Sequence, residues 1–147
     1  MPDLRALFAF AIRPVTDTLG TMARNDRLDI RIRLYCGDEI AMGPGKADLL
    51  DAIAGHGSIS AAARALDMSY RRAWLLVDTM NRCWDQPLVA TSPGSARGSG
   101  ARVTALGESV LSHYRALQVR LHAAGGGAEM HALSAALRSA PKESQKA

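Results

Sequence analysis

The chain has 147 residues, 48% apolar and 22% charged, with a formal net charge of +4. That length suits one domain, and the balance is that of a globular chain rather than a disordered one. No apolar run reaches the roughly 18 residues that span a bilayer, and the two cysteines, Cys36 and Cys83, form neither a disulfide framework nor a zinc motif.

Of the 18 basic residues, 15 are arginine. A GC-rich genome explains such a bias as readily as function does, so position is more informative. Residues 58–102 hold six arginines (64, 71, 72, 82, 97, 102) against three aspartates (67, 78, 85). This local excess points toward a polyanionic partner.

Residues 1–27 have no strong period. Leu7–Ile12 is too short for a signal-peptide core, and Asp3 interrupts any basic leader. Residues 1–27 are expected to be an N-terminal arm, disordered or a mis-assigned start, with Met22 as an alternative start; the other reading is a short helix against a partner subunit. From Leu28 to Cys36 the chain alternates, with Leu28, Ile30, Ile32, Leu34 and Cys36 on one face, which predicts a strand. Gly37–Glu39 is a turn, and Ile40–Met42 pairs back as a short strand. Both cysteines occupy apolar-pattern positions and are expected to be buried, reduced thiols, as in a cytoplasmic protein. Gly43-Pro44-Gly45-Lys46 is not a phosphate loop, because Ile40 and Ala47 stand where that motif needs Gly and Ser or Thr.

A helix is predicted from Lys46 to about His56, with Leu49, Leu50 and Ile53 inward and Gly55 and Gly57 ending it. Ser58 caps a second helix, in which Ile59, Ala62, Ala63 and Leu66 share a face. Asp67-Met68 turns the chain. Ser69 caps a third helix running to about Trp84, with Ala73, Leu76, Val77, Met80 and Trp84 as its core stripe. Gln86-Pro87 stops it. Short strands at 88–90 and 101–103 flank a flexible Ser92–Gly100 loop. Thr104 caps a fourth helix, Ala105–Ala124. Its Val110, Tyr114, Leu117, Leu121 and Ala124 form a short heptad seam suited to pairing with a second copy; packing within its own domain is the alternative. Gly125–Gly127 ends this helix, a weak helix over 128–139 follows, and 141–147 reads as a disordered tail.

This order predicts a mainly α fold with small β: a winged helix-turn-helix over 28–124, with an N-terminal strand and a C-terminal dimerisation helix, then a Gly linker and tail over 125–147. The third helix would enter a major groove, and the wing would reach the backbone or minor groove beside it. Arg71, opposite the core stripe, is the candidate for a bidentate guanine contact, and Arg72 for a base or a phosphate. Ser58 caps the first helix of the reading unit; Ser69 and Tyr70 offer hydroxyls to phosphates at a helix N-terminus. Trp74 is placed beside them, although packing is the commoner role for such a residue. In the wing, Arg97 and Arg102 are candidate phosphate contacts, with Gly94, Gly98 and Gly100 permitting close backbone approach. A solvated surface charge is the alternative for each arginine, weaker for Arg71 than for Arg97.

The segments Leu49–Ile53, Gly57–Ala63, Met68-Ser69-Tyr70-Arg71-Arg72-Ala73-Trp74 and Met80-Asn81, then Pro87–Val89, the Gly-bearing wing and Thr104 with Gly107, resemble the DNA-binding half of ModE-type molybdate-responsive transcription regulators. The likeness covers about 28–121. LysR-type winged helices are more distantly similar. The resemblance implies a dimeric winged helix on a palindromic operator of double-stranded DNA. The family's full-length members add two small β-barrel modules that bind molybdate. Twenty residues follow Gly127, too few for one such module, so molybdate binding by this chain is not expected. Ser95, Ala96, Arg97 and Ser99 interrupt the family's denser glycine wing.

The resulting expectation is a cytoplasmic transcription regulator with no cofactor, metal or membrane association. A winged-helix module that binds protein rather than DNA is the alternative. His56, Cys83 and His113 are the candidate nucleophiles or bases and share no motif spacing, so no enzyme is expected.

Overall fold

The computed structural model describes residues 27–95 and 98–146. Most of the expected N-terminal arm, and Arg97 of the expected wing, lie outside the described residues. The elements in order are β1 (Leu34–Cys36), β2 (Glu39–Met42), α1 (Pro44–His56), α2 (Ile59–Ala65), α3 (Tyr70–Cys83), β3 (Val89–Ser95), β4 (Gly98–Val103), α4 (Ala105–Ala124) and α5 (Ala128–Ala136). The chain is therefore mainly helical, with two small antiparallel sheets, β1–β2 and β3–β4.

Local chemistry sets the boundaries. Pro44 sits at the start of α1, where its missing N–H costs nothing. Gly57 closes that helix in the left-handed region, at φ 75°, with its N–H on Ile53 O at 2.9 Å. Ser58 Oγ accepts from Ala61 N, Ser69 Oγ from Arg72 N and Thr104 Oγ1 from Gly107 N, so three predicted caps are made. Between α2 and α3 the chain reverses through Asp67, at φ 52°. Aspartate tolerates that region better than most side chains.

The core is built from Met42, α1 (Leu49, Leu50, Ile53), α2 (Ile59, Ala62, Ala63), α3 (Ala73, Val77, Met80), the hairpin (Leu88, Val89, Ala101) and Tyr114 of α4. The small Ala62 and Ala63 let α2 lie close to its neighbours. Asn81 joins α3 to the hairpin. Its side chain accepts from Leu88 N and Val89 N at 3.0 and 3.1 Å and donates to Val89 O at 3.0 Å. Ala101 N donates to Gly57 O at 2.8 Å, tying β4 to the α1–α2 junction. Arg115 of α4 clamps Asp48 and Asp51 of α1, the Asp48 contact at 2.8 Å and the Asp51 contact at 2.6 Å.

Three sequence expectations need correction. The strand expected over 28–36 is confined to Leu34–Cys36. Its partner β2 has four residues, so the backbone before Leu34 meets no ladder. Alternation assigns faces to side chains but supplies no hydrogen-bond partner. Residues 28–32 instead follow α4: Leu28 and Ile30 lie against Gly125, and Tyr114 Oη donates to Ile32 O at 2.9 Å. Second, Cys36 is exposed, because β1 belongs to a two-stranded sheet that leaves all three of its residues exposed, and Cys83, the last residue of α3, is only half-buried. Third, the strands of the second hairpin run to Ser95 and restart at Gly98, well into the expected loop.

Candidate nucleic-acid interface

The helix macrodipole favours acidic side chains in a first turn. Neither α1, α2 nor α3 has one. The first turn of α3 instead carries Arg71 and Arg72, both exposed. This arrangement costs stability, on the order of 0.3–1 kcal/mol per charge. A local rule broken at a solvent-facing helix end is where function is expected.

The arginines divide into two electrostatic groups. Arg82, near the other end of α3, bonds Asp78 at 3.0 Å and pairs with Glu39 at 3.7 Å; the Asp78 hydrogen bond raises its pKa above the ordinary arginine value. Arg115 is held by two aspartates, and Arg31 pairs with Asp29 at 3.1 Å. Arg71, Arg72 and Arg102 form no ion pair among the described residues and are exposed. Along α3, the cation near the C-terminal end (Arg82) is thus neutralised, while Arg71 and Arg72 in the first turn form no ion pair among the described residues.

Ser58 and Ser69 both spend an oxygen lone pair on capping. Each hydroxyl proton remains free to donate in the capped geometry. Tyr70 is 56% exposed and Trp74 47% exposed. The packing role that usually falls to such a tryptophan is therefore not what the structure places at Trp74. Ala73, Val77 and Met80 take the inward face, and one residue's turn of about 100° carries the indole outward. Trp84 is the tryptophan that packs, with Nε1 buried and unpartnered.

Two clefts flank α3. One, about 440 Å³, opens between α2, α3 and the β3–β4 hairpin, with Tyr70 and Trp74 on its wall. The other, about 540 Å³, lies on the far side and gathers Arg33, Lys46 and Arg72. The sequence reading did not single out Arg33 and Lys46, which lie 39 and 26 residues from Arg72 in the chain. A signal for Lys46 was present: a cation in a first turn without acids, against the dipole. Lys46 is 9% exposed, and burial lowers its pKa below the ordinary lysine value.

The heptad seam of α4 is divided. Tyr114 is buried in the chain's own core, and Val110 packs against that core. Leu117 and Leu121 remain exposed, and Val119, on the opposite face of the helix, is exposed too. Among the described residues no cluster of His, Cys, Asp or Glu could hold a metal ion, and no helix is long and apolar enough to cross a membrane.

No family model matches the chain. It is 41% identical over 85 residues to the molybdenum-pterin-binding protein MopA of Rhodobacter capsulatus, covering 58% of this chain and 32% of that protein. It is 37% identical over 84 residues to the molybdenum transport protein ModE of Azotobacter vinelandii, covering 57% and 31%. It is 32% identical over 86 residues to the DNA-binding transcriptional dual regulator ModE of Escherichia coli (strain K12), covering 58% and 33%. The chain spans about a third of the length of these curated relatives, two named for molybdenum binding or transport and one for DNA-binding transcriptional regulation.

Proposed function

We propose that this chain is a sequence-specific, double-stranded-DNA-binding transcription regulator linked to molybdenum metabolism, built on a winged helix-turn-helix. In this reading α2 and α3 are the reading unit, the β3–β4 hairpin is the wing, and the chain acts as a homodimer through the exposed part of α4. It binds rather than catalyses. The carrying observation is the pair of uncompensated arginines, Arg71 and Arg72, in the exposed first turn of α3. The DNA-binding name of one relative supports the same reading. Arg71 reads a base edge; Arg72, Arg102 and the exposed Arg33 meet phosphates.

Selection from a random duplex library, with and without molybdate, tests this. An inverted repeat with half-sites about one helical turn apart is the expected product. Molybdate should leave it unchanged. Affinity should fall with salt, by a logarithmic slope of about −0.9 per neutralised phosphate. Arg71→Ala should flatten base preference at one position per half-site, whereas Arg102→Ala should weaken all sequences alike. No enriched motif even at low salt would overturn the reading and favour a protein-binding module.

A second variant separates function from fold. Arg72→Glu would place an acid at the third helical position after the Ser69 cap, completing a capping box. Thermal unfolding should show a gain of about 0.5–1 kcal/mol. DNA affinity should fall at the same time. A variant that loses both stability and binding would place Arg72 in the fold rather than the interface.

A further inference from the structure

The cleft between α2, α3 and the hairpin is chemically unlike the rest of the proposed interface. Among the described residues, no charged residue lines it. Its wall is apolar, formed by Ile59, Tyr70, Trp74 and Pro93, with the hydroxyls of Thr91 and Ser92 on the hairpin side. Tyr70 and Trp74 stand one turn apart on α3, both about half exposed. Among the described residues a phosphate has no cation to meet there, while the opposite cleft is lined by Arg33, Lys46 and Arg72.

We infer that the Tyr70–Trp74 cleft reads thymine through its C5-methyl group, making Trp74 a specificity-determining residue. The inference rests on the DNA-reading proposal above. Its occupant follows from the chemistry of the major groove, where thymine alone among the bases presents an apolar group. The neutral, aromatic lining complements that methyl, and the flanking hydroxyls suit the polar atoms of the same base edge. Arg71, the residue between the two aromatics nearest Tyr70, directs hydrogen bonds to a guanine, so one helical turn carries an apolar and a polar reader.

The test uses the full chain and the duplex recovered by selection. Each thymine is replaced in turn by deoxyuridine, which removes the methyl and nothing else. At one position per half-site, binding should weaken about fourfold, the burial value of one methyl-sized group. Trp74→Ala should bind the thymine and deoxyuridine duplexes equally, and Trp74→Phe should keep part of the preference. Specific binding indifferent to every deoxyuridine replacement overturns this inference alone. A methyl preference that persists undiminished in Trp74→Ala also overturns it. Absence of any sequence-specific complex overturns the DNA-reading proposal as well, so the two failures are distinguishable.

Discussion

Gly107→Ala should destabilise the chain by about 3 kcal/mol, lowering Tm by roughly 10 °C. Helix propensity alone predicts the opposite sign, a gain of about 1 kcal/mol, because Gly107 lies within α4. The cause of the reversal is a close approach. A Cβ at Gly107 would be driven into the carbonyl oxygen of Leu88 and would stand 2.7 Å from Val103 Cγ1. That carbonyl cannot retreat freely, since it also accepts from Thr104 N at 2.9 Å. Leu88 and Val103 flank the base of the hairpin, so the clash would fall on the element proposed as the wing. Gly55→Ala is the matched control. It is also helical, and a Cβ there meets nothing within 4 Å. It should stabilise by about 0.5–1 kcal/mol. Thermal or urea unfolding of both variants checks the pair; equal signs would remove the close-approach argument.

Asn81→Ala should cost about 3 kcal/mol as well. The amide makes three hydrogen bonds to Leu88 and Val89, and both of those residues are buried. Removing it leaves two N–H groups and a carbonyl without their partner, away from water, and each such loss costs about 1 kcal/mol or more. Asn81→Asp should cost less, because it retains the oxygen that accepts from both N–H groups and loses the donor to Val89 O. Hydrogen exchange at Leu88 and Val89 should speed up in Asn81→Ala before that of the α1 amides. If both sites open only with global unfolding, Asn81 is not a local strut. Because its side-chain hydrogen bonds fix α3 to the start of β3, its loss should also weaken DNA binding under conditions where the chain stays folded.

The elements that proved legible in the sequence are those with local causes. Ser58, Ser69 and Thr104 each cap a helix within three residues of themselves, and that signal needs no knowledge of the rest of the chain. The boundaries of α4 follow from Thr104 and the glycine run at 125–127. The core stripe of α3 follows from period alone, through Ala73, Val77 and Met80. The reach of β1 was not legible, because a strand's extent depends on the length of its neighbour, and β2 has only four residues. Cys36 was misplaced for the same reason: an apolar alternation marks one face of a strand, but whether anything covers that face is a matter of packing.

The candidate interface shows the same division. Arg71 and Arg72, Tyr70 and Trp74 could be placed on one exposed helical turn from spacing, since 100° per residue is a property of the helix itself. Which of the chain's arginines are uncompensated could not. Arg82 is neutralised by Asp78 four residues away and by Glu39 from another element, and Arg115 by two aspartates of α1. The gathering of Arg33 and Lys46 beside Arg72 likewise joins segments far apart in the chain. Sequence alone determined the helices, their caps and the identity of the exposed basic turn, because those are set by neighbours along the backbone. Pairing partners, the free or neutralised state of each charge, and the shapes of the clefts on either side of α3 were decided by the tertiary fold, because they depend on distances that only packing creates.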